Sequence, residues 1–122
     1  MCFLGENKKL IANEDIVCYK VLRKICFRYY ALCCTEFRYK KNKLYKTEIK
    51  AERCYQRFEG VYIEEGFHSS NSIYTAKTEW MYGAIGITRV LAKFIIPKGA
   101  EYYENDKERV SNQIIFKKII KS

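Results

Sequence analysis

Gly60-Val61-Tyr62-Ile63-Glu64-Glu65-Gly66-Phe67-His68-Ser69-Ser70-Asn71-Ser72-Ile73 is where the chain changes its period. Up to His68 the residues read as a short strand punctuated by glycine. Ser69, Ser70, Asn71 and Ser72 are all good helix N-caps, because their side-chain oxygens can accept from the free amides of a first turn. Ile73, Ala76, Lys77 and Trp80 then fall at i, i+3, i+4 and i+7, the spacing of one helical face. Gly83 and Gly86 end the expected helix. A strand that hands over to a helix, in a chain otherwise rich in strand-like runs, makes this an α+β protein.

Upstream, Ile16 to Leu22 is β-branched and aromatic and reads as a strand; Arg23-Lys24 reads as a basic turn, and Ile25 to Leu32 as a second strand. Phe37 to Ile49 alternates imperfectly, as a weak strand or a hairpin broken near Lys41-Asn42-Lys43. Downstream, Thr88 to Ile96 carries the plainest strand pattern in the chain. Pro97-Lys98-Gly99 forces a turn, since proline fixes φ and glycine accepts positive φ. Glu101 to Glu108 reads as a polar excursion, and Val110 to Ile120 as a closing strand. The expectation is one α+β domain over 1–122, with a mostly antiparallel twisted sheet of five or six strands. One or two helices pack on it, the second placed between residues 36 and 58.

The net charge is +9 and unevenly spread: residues 1–60 carry 14 Lys/Arg against 7 Asp/Glu, residues 61–122 only 9 against 7. The excess is densest in Arg38-Tyr39-Lys40-Lys41-Asn42-Lys43-Leu44-Tyr45-Lys46. Cations interleaved with tyrosines suit single-stranded nucleic acid; the plainer reading is a solvated hairpin with lysines guarding an exposed edge. Either way, such a field attracts nucleotides, nucleic acid or acidic proteins. Eleven tyrosines point to a sheet-rich fold, the plainer reading, or to an aromatic-lined binding surface. Tyr29-Tyr30, Tyr39, Tyr45 and Tyr102-Tyr103 exceed what one small core is expected to enclose, which suggests a homodimer.

Six cysteines lie at positions 2, 18, 26, 33, 34 and 54 without any C-x-x-C spacing. With no apolar leader-like run at the start, they are expected to be reduced, in a cytoplasmic setting. No metal site is expected, because His68 is the only histidine. No stretch approaches the ~18–20 apolar residues that span a bilayer, so no membrane partner is expected.

His68 is the leading site residue. With Phe67 turned to the core, it is expected to face the mouth of the sheet, with Ser69, Ser70 and the helix-start amides beside it. A helix N-terminus next to an imidazole suits a phosphate or carboxylate. The alternative is a structural histidine bonded to a carbonyl, with the serines serving only as caps. Lys98 could hold phosphate from its turn, although turn lysines are commonly just solvated. Gly66 and Gly99 belong to no Gly-rich phosphate motif. Glu64 and Glu65 point to opposite faces of a strand and make no acid–base pair. Neither Cys33-Cys34 nor Ser69-Ser70 has the base that a nucleophile requires.

Asp15-Ile16-Val17-Cys18-Tyr19-Lys20-Val21-Leu22, Glu65-Gly66-Phe67-His68-Ser69 and Ile96-Pro97-Lys98-Gly99-Ala100-Glu101-Tyr102-Tyr103 together resemble a family of short uncharacterised open reading frames of Bacteroides-type gut bacteria and their phages. That resemblance implies a phage or mobile-element setting and no activity. In topology the chain also resembles ADP-ribosyltransferase toxins. Tyr19-Lys20 resembles their Tyr-Arg element with Lys for Arg, Gly66-Phe67-His68-Ser69-Ser70 their Ser-Thr-Ser segment, and Ile96-Pro97-Lys98-Gly99 the approach to their catalytic strand. Val110-Ser111-Asn112-Gln113-Ile114 departs from the pattern, with no Glu where the catalytic one belongs and Glu108 earlier than it should be. The resemblance implies a nicotinamide-nucleotide site around Tyr19, Lys20, His68 and Ser69.

The leading expectation is a small basic, non-enzymatic binding protein with no resident cofactor. Its partner would be an anionic ligand, a nucleic acid or an acidic protein, held through Tyr19, Lys20, Gly66, His68, Ser69, Ser70 and Lys98. An ADP-ribosyltransferase-like enzyme and a homodimeric interaction protein are the alternatives.

Overall fold

A computed structural model describes residues 3–5, 9–31, 37–54, 60–81 and 88–121. The side chains of 3–5, 50–54, 60–64 and 79–81 lie outside that description, as do Gly83 and Gly86. Strands dominate. In chain order they are β1 (Phe3–Gly5), β2 (Leu10–Ile11), β3 (Ile16–Ile25), β4 (Arg28–Ala31), β5 (Arg38–Tyr39), β6 (Leu44–Lys46), β7 (Lys50–Cys54), β8 (Gly60–Glu65) and β9 (Phe67–Ser70). The helix α1 (Ile73–Met81) follows, then β10 (Arg89–Ile96), β11 (Glu101–Glu104), β12 (Glu108–Ser111) and β13 (Gln113–Lys121).

The main sheet has ten strands, in the order β2-β11-β12-β9-β3-β10-β13-β6, with β4 on β3 and β5 on β4. A separate sheet has the order β1-β8-β7. All these strand pairs are antiparallel. The expected five or six strands is therefore an undercount, because several runs read as one element break in two. Gly66, at φ +147°, separates β8 from β9 and sends them into different sheets. The polar run around Asn105-Asp106 is a hairpin between β11 and β12, its turn held by Asn105 Oδ1 accepting from the amides of Lys107 and Glu108 at 2.9 Å. Residues 37–49 do break at Asn42, whose φ is +61°, giving β5 and β6. No second helix occurs among the described residues of 36–58.

Arg23-Lys24 is not a turn. Strand β3 runs through it to Ile25 and reverses at Cys26-Phe27, with Ile25 opposite Arg28. Both turn residues have positive φ, 47° and 66°, the geometry of a two-residue hairpin that favours Asn-Gly. Side chains in that region cost on the order of 1 kcal/mol each.

The core lies inside a ring of strands. β3 holds β10 on one edge and β4 on the other, while a bridge from Lys41 to Phe116 joins the β5 end to β13. Rings meet across the enclosed space: Phe94 stacks on Phe116 at 5.1 Å, Tyr39 meets Phe94 edge-on at 5.0 Å, and Tyr29 meets Phe116 at 5.6 Å. Tyr29, Tyr39, Tyr45 and Tyr102 all belong to this core or pack against it, and Tyr103 packs on buried Val110. The ring-shaped sheet thus absorbs the tyrosine surplus on which the homodimer expectation rests, leaving Tyr30 outside.

Helix α1 forms where its spacing predicts. Ser72 is the cap, its Oγ accepting from the Thr75 amide at 3.2 Å. Ala76 is fully buried against Val21 and Leu91 on the outer face of β3 and β10. Ser69 and Ser70 belong to β9 and cap nothing. Among the described residues the structure is thus an antiparallel sheet protein with one short helix.

Candidate functional site

Strand β9 lies between β3 and β12, and alternation gives it two different faces. Tyr19 stands opposite Ser70, and Ser70 opposite Glu108. His68, two positions along, shares their face. Lys20, Ser69 and Phe67 are turned to the other side, toward the core. The expected cluster is therefore split: Tyr19, His68 and Ser70 lie on the helix-bearing face, and Lys20 and Ser69 on the enclosed one. Gly66 breaks the strand ahead of both. Its missing side chain makes room for Val110, and Ile49 also lies close by. Lys98 belongs to neither group. It lies past Ile96, at the sheet end marked by the Ile96–Ile16 pair, with its amide donating to Asp15 Oδ1 at 2.9 Å.

His68 is not at the helix start, since α1 begins only at Ile73. It is half-buried, and burial together with the charge of Lys20 lowers its pKa from 6.5 to about 4. The imidazole is thus neutral at neutral pH and contributes no positive charge for an anion. Its Nδ1 is buried without a hydrogen-bond partner among the described residues. The histidine touches the other face only through its backbone, where its carbonyl accepts a hydrogen bond from Lys20 Nζ.

On the enclosed face the polar groups converge on Cys18, which is fully buried. Burial raises the thiol pKa, while the Ser69 hydroxyl, Lys20 and Arg109 pull it the other way. Two cations and a hydroxyl thus act on one buried point. Arg109 stands opposite Ser69 and pairs through Nε with Glu104 Oε2 at 3.2 Å; its side chain is only 19% exposed. Ser111, opposite Phe67, is fully buried. The Oγ atoms of Ser69 and Ser111 are buried and make no hydrogen bond of ordinary geometry among the described residues. The Lys20 ammonium lies 5.9 Å from the centre of the Tyr39 ring, within the range of a cation–π contact. Hydroxyls, two cations and an aromatic ring on one face are the kinds of group that hold a phosphate or carboxylate.

Arg109 and Ser111 were missed as site residues by sequence reasoning, which took residues 101–108 as an excursion and set Glu108 aside as lying too early for the catalytic position. Strand alternation in Glu108-Arg109-Val110-Ser111 is the signal that could have found them. Both Cys18 and Cys26 are free thiols. No group of three or more His, Cys, Asp or Glu side chains that could hold a metal occurs among the described residues, and no described helix is long and apolar enough to cross a membrane. Comparison with protein families, with curated proteins and with solved structures finds no match for this chain.

Proposed function

We propose that this chain is a small non-enzymatic binding protein for an anionic ligand, seated on the enclosed face of β9 and held by Lys20 and Arg109. One observation carries the reading. The Ser111 hydroxyl is buried without a partner among the described residues, and the Ser69 hydroxyl has only the Cys18 thiol beside it, on the face where the two cations act. A buried hydroxyl left unpaired costs about 1–3 kcal/mol, so these hydroxyls beside two cations favour a ligand that accepts hydrogen bonds and carries negative charge. The +9 charge of the chain adds long-range attraction for the same class of ligand. A phage or mobile-element protein that sequesters a signal nucleotide or blocks an acidic host protein fits this chemistry.

Thermal-shift measurements with inorganic phosphate, mononucleotides, dinucleotides and an acidic peptide test it. At least one anion should raise the melting temperature of the wild type and leave a Lys20→Met, Arg109→Met variant unmoved. No shift with any of them removes the reading.

The ADP-ribosyltransferase-like alternative gains from the row Tyr19–Ser70–Glu108, which sets a carboxylate opposite the serine of the resembled motif. A carboxylate there could hold a ribose hydroxyl, the role that the sequence from Val110 to Ile114 leaves empty. Incubation with labelled NAD and a cell lysate tests it, and the absence of both label transfer and NAD hydrolysis excludes it.

A further inference from the structure

The geometry points to a second binding surface, separate from the Lys20 site: the outer face of β3, β4 and β5 is a platform for single-stranded nucleic acid. Residues 22–46 hold eight Lys/Arg and one carboxylate, and so account for +7 of the chain's +9. Three of these charges, Arg23, Arg28 and Arg38, fall on one face.

Tyr30 sits opposite Arg23 on one side and opposite Arg38 on the other, so the three form a row across adjacent strands. Strand spacing makes that row roughly 10 Å wide. Arg28, two residues before Tyr30 on β4, shares its face. Their neighbours in sequence, Leu22, Tyr29 and Tyr39, pack in or against the core, so Arg23, Tyr30 and Arg38 face outward. Arg23, Arg28 and Arg38 make no ion pair among the described residues. Three guanidinium groups thus surround one half-exposed phenol that the core does not use. Arg23 also stands opposite Arg89 on β10.

The tip of the same hairpin adds a second ring. Phe27 is 88% exposed, with the Lys24 ammonium 5.5 Å from its centre. It occupies a positive-φ position that glycine would fill without strain, at a turn where Asn-Gly is the favoured pair. A large apolar ring held at a strained backbone position and left this exposed is open to contact with a partner.

Aromatic faces interleaved with cations fit a strand whose bases are unstacked and whose phosphates run alongside. A duplex presents no free base faces to Tyr30 or Phe27. A bilayer would call for more apolar surface than one ring and the part-exposed Ile25 beside it. The occupant is therefore single-stranded DNA or RNA.

Fluorescence anisotropy with labelled oligo-dT and oligo-U of 20 nucleotides, across a salt series, tests the inference. Binding should weaken as salt rises, with each of Arg23→Gln, Arg28→Gln and Arg38→Gln lowering the log–log slope by about 0.7. Lys117→Gln, on β13, should leave the slope nearly unchanged. Tyr30→Ala should weaken binding about tenfold or more, while Tyr30→Phe, which keeps the ring, should not. Replacing Cys26-Phe27 by Asn-Gly should weaken binding while raising the melting temperature, a combination that a purely structural tip cannot give. The inference is overturned if Tyr30→Ala binds as wild type, if Lys117→Gln loses as much as the arginine variants, or if duplex of equal length binds more tightly. It is equally overturned if phosphatidylserine–phosphatidylcholine vesicles bind and the oligonucleotides do not. Variants at Lys20 and Arg109 leave this binding largely intact, so the two sites fail separately.

Discussion

Lys20 reaches from β3 to the backbone carbonyl of His68 on β9, so one ammonium ties two strands together and adds to the burial that keeps the neighbouring imidazole neutral. The consequence for pH is specific. An unfolded chain binds the histidine proton at the ordinary 6.5, the folded one only at about 4. Between those values the unfolded state holds more protons, so stability is full above pH 6.5 and falls as pH drops toward 4. The loss is on the order of 2 kcal/mol, allowing for partial exposure of the ring. Urea denaturation from pH 7 to pH 4 should show this acid limb, and His68→Gln should flatten it. An unchanged limb in the variant would mean that another group carries it.

Gly66 and Gly99 both have positive φ, yet they should respond differently to alanine. A Cβ on Gly66 would overlap Cγ1 of fully buried, stiff Val110, whereas one on Gly99 would meet nothing within 4 Å. Gly66→Ala should cost about 3 kcal/mol, from backbone strain plus overpacking. Gly99→Ala should cost about 1 kcal/mol, from strain alone. Equilibrium unfolding of the two variants side by side checks the difference, and equal costs would show that the close approach to Val110 relaxes freely.

The helix was legible because its signal is local: Ile73, Ala76, Lys77 and Trp80 need no knowledge of the rest of the chain, and Ala76 is indeed fully buried. Ile16 to Leu22 and the turn at Pro97-Lys98-Gly99 were legible for the same reason. The β3–β4 turn was not, because Cys26-Phe27 lacks the residues that a positive-φ turn favours. The candidate site depends on register, which one sequence does not contain. That Ser69 faces Arg109 and Cys18 while Ser70 faces Tyr19 and Glu108 follows from pairing between strands far apart in the chain. Reading Ser69 and Ser70 as helix caps hid the alternation that separates them. It also placed His68 a full strand segment too close to the helix.

Thiol chemistry should separate the two described cysteines. Cys18 is fully buried with its pKa raised, while Cys26 is exposed at the hairpin tip. Reaction requires an accessible thiolate. Brief alkylation of the native protein followed by peptide mass analysis should find Cys26 modified and Cys18 protected. Denaturant should expose Cys18 to the same reagent. Rapid native labelling of Cys18 would show that the enclosed face opens far more readily than its packing allows.

The last prediction concerns the sign of three serine substitutions. Ser72 caps α1 through the Thr75 amide, so Ser72→Ala should destabilise by about 1 kcal/mol. Ser111 holds a buried hydroxyl without a partner among the described residues, and Ser69 one with only the Cys18 thiol beside it. Removing each should be neutral or stabilising by up to about 1 kcal/mol in the ligand-free protein, because the desolvation cost disappears with the hydroxyl. If the anion site lies where Lys20 and Arg109 converge, the same two substitutions should reduce the thermal shift given by the bound anion. Stability held or gained, together with binding lost, marks groups kept for a ligand. Loss of about 1 kcal/mol or more in the ligand-free protein would mean that Ser69 and Ser111 are satisfied structural residues, and the anion site would then have to rest on the cations alone.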